Sequence, residues 1–155
     1  MKNLTPISFT NVSIKDKFWS ERLIVNQKNT LNANYQHLKK QGRIDAWTWR
    51  KGQPNKPHIF WDSDVAKWIE AVSYHLANKR NVALEKKVDH VVDIMSDAQL
   101  DDGYLNSYFI NVEPDRKWTN LRNEHELYCA GHLIEAAVAY YDATGKDKFL
   151  NVMRK

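Results

Sequence analysis

The stretch WDSDVAKWIEAVSYHLANKRNVALEKKVDHVVDIMSDAQL, residues 61–100, holds two successive helical patterns with a short break between them. In the first, Val65, Trp68, Ile69, Val72 and Leu76 recur at the spacing that puts side chains on one helix face. Asp62 or Ser63 is in place to cap its start, and Asp64 adds negative charge near the positive helix end. The second pattern runs through Leu84, Val88, Val91, Met95 and Ala98, after a break at Asn78 to Asn81. So short a connection returns the chain antiparallel, so the stretch predicts an αα-hairpin. His75 and His90 fall within these helices and read as surface or partly buried side chains rather than ligands.

Downstream, DDGYLNSYF (101–109) reads as a turn with Gly103 at its tip, Asp101 and Asp102 before it and Tyr104 and Tyr108 after it. A further helix starts near Asn123, where Asn123 and Glu126 have capping-box spacing, and runs through HELYCAGHLIEAAVAYYDA. Gly145 then supplies a stop and Asp147 a cap, and Phe149 and Leu150 begin another helix, cut off by the end of the chain. Helix, turn, helix, loop, helix, turn, helix is the pattern of stacked αα-hairpins found in toroids and solenoids. The expected class is all-α, with the broken last helix implying a longer array.

Upstream, Ile7, Phe9, Val12 and Ile14 alternate imperfectly and predict one short N-terminal strand with an irregularity near Asn11. From Asp16 a helical pattern of Phe18, Trp19, Leu23, Leu31, Tyr35 and Leu38 continues to Gly42. Residues 42–61, GRIDAWTWRKGQPNKPHIFW, break both periodicities and predict a loop rich in aromatic residues. Trp47, Trp49, His58, Phe60 and Trp61 either present faces that suit the C–H surfaces of sugars or anchor the loop to the core.

A chain of 155 residues has room for one domain, here 1–155, and its 43% hydrophobic and 27% charged residues with few Gly and Pro describe a globular protein. The start lacks the apolar centre of a signal peptide and no segment approaches membrane-spanning length, so a cytoplasmic protein without membrane contact is expected. One cysteine excludes an intrachain disulfide. The net charge of +4 is dispersed among acidic residues, as on a solvated surface. Trp47, Trp49, Arg50, Lys51 and Lys56 form a basic aromatic patch, but no nucleic-acid-binding motif accompanies it, and no nucleic acid partner is expected.

The segment RNEHELYCAGHLIEAAVAYYDATG (122–145) carries the densest chemistry. His125, Cys129 and His132 share a helix face, yet the two histidines lie about 10 Å apart along the axis at about 1.5 Å per residue, too far for one metal ion. Cys129 with His125 or His132 as base would make a nucleophile only if its thiol pKa were depressed. Leu127, Leu133, Ile134, Ala136, Ala137, Val138 and Tyr140 instead describe a core helix, which leaves His125 and Glu124 at its start unexplained. The starts of hairpin helices face the mouth of a toroid, where ligands collect.

Three ordered blocks, FWDSDVAKWIEAVSYHLA, AQLDDGYLNSYF and NEHELYCAGHLIEAAVAYYDATG, together with VSIKDKFWSERL, resemble the N-terminal region of glycoside hydrolase family 127, the β-L-arabinofuranosidases. The resemblance implies an (α/α)6 toroid followed by β-sandwich domains, of which this chain is an incomplete N-terminal portion. It also implies hydrolysis of terminal β-L-arabinofuranosyl bonds with retention, by a zinc-bound cysteine thiolate and a glutamate acid/base. The family's zinc ligands, one Glu and three Cys, match no residue of this chain, and Cys129 falls where the family has no ligand. No catalytic residue and no cofactor is therefore assigned here. The histidine of the HE block matches His125, implying a sugar-pocket residue, with Asp102 and Tyr104 at the pocket rim.

The expectation is an arabinofuranosyl-glycan-binding portion of a hydrolase that is inactive alone and prone to self-association through an uncovered helix face. A self-contained helical-hairpin module binding carbohydrate or protein through its tryptophan loop, and a small hydrolase or metal enzyme using His125 and Cys129, are the alternatives.

Overall fold

The computed structural model describes residues 4–155. The helices are α1 (Trp19–Val25), α2 (Leu31–Lys40), α3 (Trp61–Asn78), α4 (Val82–Ala98), α5 (Ser107–Asn111), α6 (Glu126–Thr144) and α7 (Lys148–Arg154). Among the described residues there is no strand. The expected strand is instead an exposed segment with a single 3-10 turn at Phe9–Asn11. Its alternating residues have no second strand to pair with, and an unpaired strand leaves its backbone groups to water. The long helix expected from Asp16 to Gly42 is present as α1 and α2, joined through a π-helical turn at Asn26–Thr30.

The α3/α4 hairpin forms where the hydrophobic pattern places it. Asn81 caps α4, its side chain accepting from the backbone N–H groups of Ala83 and Leu84 at 3.1 and 3.2 Å. Neither Asp62 nor Ser63 caps α3. Phe60 holds the cap position without a side-chain bond, and Asp62 is turned into the interior. Gly145, at φ +73, ends α6 with its N–H on the Tyr141 carbonyl, the left-handed stop that glycine adopts without strain.

The helices form two layers. In the first, α3 and α6 lie side by side and parallel, and this is the most extensive helix contact in the molecule. Their starts meet where the Cys129 thiol donates to the Ile59 carbonyl at 3.5 Å, and Lys67, in the second turn of α3, reaches Tyr128 in the first turn of α6. In the second layer α4 and α7 also run parallel, with Lys146 bridging to Asp89, Lys148 to Asp93, and the Gln99 amide donating to the Val152 carbonyl. Between layers the direction reverses: Tyr140, late in α6, donates to Asp89, midway along α4, at 2.7 Å.

The core fills the space between the layers with Val65, Ile69 and Val72 of α3, Val88, Val91 and Met95 of α4, Leu133 and Ala137 of α6, and Phe149 of α7. Each large side chain buried there contributes roughly 1.5–3 kcal/mol. A charged residue at Val88, which has no solvent exposure, would break the hairpin. The 42–61 loop is tied to this core rather than spread over solvent. Trp47 is 1% exposed and Trp49 9%, and Asn111 of α5 donates to the carbonyls of Ala46 and Trp47. These tryptophans are anchors and present no face to a ligand.

Candidate functional site

Parallel α3 and α6 bring their N-termini to one end of the molecule, and the antiparallel second layer brings the C-terminus of α4 and the 101–104 turn to the same end. This end is the candidate mouth. Its wall is a ladder of rings, exposed except at half-buried His132: His58 and Phe60 before α3, His125 at the N-cap of α6, then Tyr128 and His132 on α6. Successive centroids are 4.4, 6.0, 5.5 and 4.7 Å apart.

His125, the strongest of the sequence-derived candidates, stands at the N-cap of α6, exposed and in the left-handed region at φ +58. Non-glycine residues hold that backbone only where their surroundings enforce it. Its Nδ1 lies 2.9 Å from the Asn123 carbonyl, which orients the ring and turns Nε2 away from the backbone. The capping box expected between Asn123 and Glu126 does not form. Glu126 is 2% exposed and points inward, accepting from the Tyr104 hydroxyl and from the Trp118 N–H at 3.0 Å to each oxygen.

Tyr104 is therefore buried and committed to Glu126, and burial followed by that hydrogen bond pushes its phenol pKa far up. It supports the site from behind rather than lining an open rim. Asp102 is exposed and accepts from the Tyr104 N–H at 3.0 Å, shaping the turn. Gly103, at φ +86, completes that turn, and an added Cβ would lie 2.5 Å from the Lys155 backbone.

Beside the ring ladder, Lys67 donates to the Tyr128 hydroxyl at 2.7 Å, and Arg43 donates to Asp64 at 2.8 Å while its guanidinium lies 4.9 Å from the Trp61 ring centroid. Paired charges, hydroxyls and aromatic edges on one open face suit a neutral, hydroxyl-rich ligand. None of the residues added by this face stands out by spacing. They converge only because α3 and α6 are parallel neighbours.

Below the mouth lies a buried carboxyl. Asp62 accepts from the Ser107 N–H at 2.8 Å and from the Ser107 hydroxyl, and burial pushes its pKa from 3.8 to about 6 against the lowering effect of those bonds. Cys129, fully buried, has its thiol pushed up to about 12, first by burial and then by the nearby Asp62. Burial and the raised pKa disfavour the thiolate that a nucleophile or metal ligand needs. Among the described residues no cluster of three or more His, Cys, Asp or Glu is arranged to hold a metal ion. No step is assigned here to the zinc that the resemblance implies.

The comparison that bears on this arrangement is with sequence families. The profile of the β-L-arabinofuranosidase, GH127 catalytic domain matches residues 11–155. The chain belongs to glycoside hydrolase family 127. It is 41% identical over 101 residues to the non-reducing end β-L-arabinofuranosidase of Bifidobacterium longum subsp. longum, an alignment covering 63% of this chain and 15% of that enzyme. The crystal structure of a family 127 β-L-arabinofuranosidase from Geobacillus stearothermophilus T6 superimposes with a TM-score of 0.85 at 44% identity, covering 93% of this chain and 24% of the other. A second family 127 β-arabinofuranosidase gives 0.86 at 34% identity, over 96% of this chain and 25% of that one. This family 127 chain thus spans a quarter or less of the length of these relatives, and its all-helical fold is the one they share over that span. No helix of the described residues is long and apolar enough to cross a membrane.

Proposed function

We propose that this chain forms one wall of the sugar-binding mouth of a family 127 glycosidase acting on terminal β-L-arabinofuranosyl groups, and that it does not turn over substrate by itself. The observation that carries the reading is the parallel pairing of α3 and α6, which gathers His125, Tyr128 and Lys67 at one end of the first helix layer. Two such parallel layers make consecutive hairpins of an α/α toroid, with the ring ladder facing its interior. In this role the free Nε2 of His125 hydrogen-bonds a ring hydroxyl of the terminal sugar, while Tyr128 and Phe60 bound its apolar side. Neither a glutamate acid/base nor a zinc-binding thiolate is assigned to this chain.

Self-association follows from the same geometry. Leu127, Ile134, Val138 and Tyr141 are 57, 46, 43 and 42% exposed along one stripe of α6, on a helix that is apolar nearly all round. Such a stripe favours association when nothing covers it.

The test is a pair of measurements on the chain alone. Incubation with p-nitrophenyl β-L-arabinofuranoside is expected to release no nitrophenol, and titration with methyl β-L-arabinofuranoside, followed by NMR, is expected to shift resonances of α6 in the native chain and not in His125→Ala. Turnover, or binding that ignores His125, sinks the proposal.

A further inference from the structure

We infer that Trp118 is a specificity-determining residue of the same site, the platform on which the sugar next to the terminal unit stacks. The inference rests on the glycosidase reading above and adds to it the part of the glycan beyond the terminal ring.

Trp118 lies in the loop between α5 and α6, and it is 51% exposed. An indole adds nothing to the core from that position, since its ring is outside the buried cluster. Its backbone is nevertheless held in the left-handed region at φ +62, a conformation that a large residue adopts only under constraint. The constraint is visible. The Trp118 N–H is bound by both oxygens of buried Glu126, and the same carboxylate accepts from Tyr104. The Tyr104 ring then meets the indole edge-to-face at 5.1 Å and 89°, fixing its tilt, while Lys117 lies 5.1 Å from the other partner of that pair, the Tyr104 centroid. A buried carboxylate, a buried phenol and a strained backbone together hold one aromatic side chain half in water.

Rigid, half-open aromatic rings suit the C–H faces of sugars, because stacking there loses little conformational freedom. The chain position sets which sugar. Glu126 follows His125 directly, so platform and pocket histidine hang from adjacent residues. His125 meets the rings of Phe60, just before α3, and Tyr128 of α6, whereas Trp118 belongs to the loop before α6. With the terminal unit seated at His125, the inference puts the next glycosyl residue over Trp118. The ligand class is a glycan with at least one further ring carrying an exposed C–H face.

Two ligands separate the possibilities: methyl β-L-arabinofuranoside and the methyl glycoside of a β-L-arabinofuranosyl disaccharide, each titrated into the full chain while the indole N–H resonances are followed. The disaccharide is expected to move the Trp118 indole signal and the monosaccharide to leave it still. Trp118→Ala is expected to weaken the disaccharide roughly five- to tenfold and leave the monosaccharide unchanged, while Trp118→Phe, which keeps a ring and guards against a folding artefact, retains most of the affinity. A disaccharide bound equally well by the native chain and Trp118→Ala, or one that leaves the Trp118 signal unmoved, overturns the inference alone. If the native chain binds neither ligand, the sugar-site reading falls and this inference with it.

Discussion

Lys67 and Tyr128 join the neighbouring helices of the first layer through a hydrogen bond of 2.7 Å, the lysine donating to the phenol oxygen. That bond, with smaller help from Ser63, holds the Tyr128 phenol below its ordinary pKa of 10.0. Replacing Lys67 by Met removes the main cause, so the Tyr128 titration should move back up. Carbon-13 labelling of the tyrosine ring would follow it, and an unchanged midpoint would show that the pairing does not persist in solution.

Asp62 gives a stability prediction with a definite sign. Its folded pKa, about 6, lies above the ordinary 3.8, so the folded state holds the proton more tightly than the unfolded chain. The stability from this group is fully present below about pH 4 and is lost as pH rises through about 6. The limit is roughly 3 kcal/mol. Asp62→Asn keeps an acceptor for the Ser107 N–H and carries no charge, so it should gain in melting temperature over the native protein at pH 8 and show little gain at pH 4. Equal differences at both pH values would contradict the burial assigned to this carboxyl.

Glu126→Ala should destabilise the fold by about 2–4 kcal/mol in urea, because it strands the buried Tyr104 hydroxyl and the Trp118 N–H together. Glu126→Gln, which still accepts one of these bonds, should cost less. A loss below 1 kcal/mol for the alanine variant would mean that water replaces the carboxylate readily.

The stripe of Leu127, Ile134, Val138 and Tyr141 predicts concentration-dependent association in sedimentation velocity. Ile134→Glu together with Val138→Lys should shift the chain to monomer without changing its helical circular dichroism. Association that survives both substitutions would place the contact elsewhere.

Cys129 should resist a thiol reagent at pH 8 in the folded protein and react at once in denaturant, since its sulfur is buried and its pKa pushed up to about 12. Rapid modification of the native chain would restore it as a candidate nucleophile.

The helices were legible because apolar residues recur with helical period over 61–98 and again over 126–144, and packing preserves what such periodicity dictates. The N-terminal alternation at Ile7 to Ile14 misled because period alone says nothing about a partner strand. At the start of α6 the spacing of Asn123 and Glu126 promised a local cap, but Tyr104 and Trp118 draw the glutamate inward. Asp62 looked like a cap for the same reason, and its partner Ser107 stands 45 residues away. His125 is a candidate by its motif alone, whereas Lys67 and Tyr128 meet only because their helices become neighbours, and Trp118 is placed by the inward turn of Glu126. A single sequence holds that information only indirectly.

The parallel order of α3 and α6 has an electrostatic consequence. Backbone dipoles that point the same way add, so the mouth collects two fractional positive charges from the first layer, each about half a unit. The second layer presents its carbonyl ends at the same edge, with opposite sign. The field therefore runs across the mouth from the first layer toward the second, and a ligand oxygen carrying partial negative charge is drawn to the His125 side before any charged side chain acts.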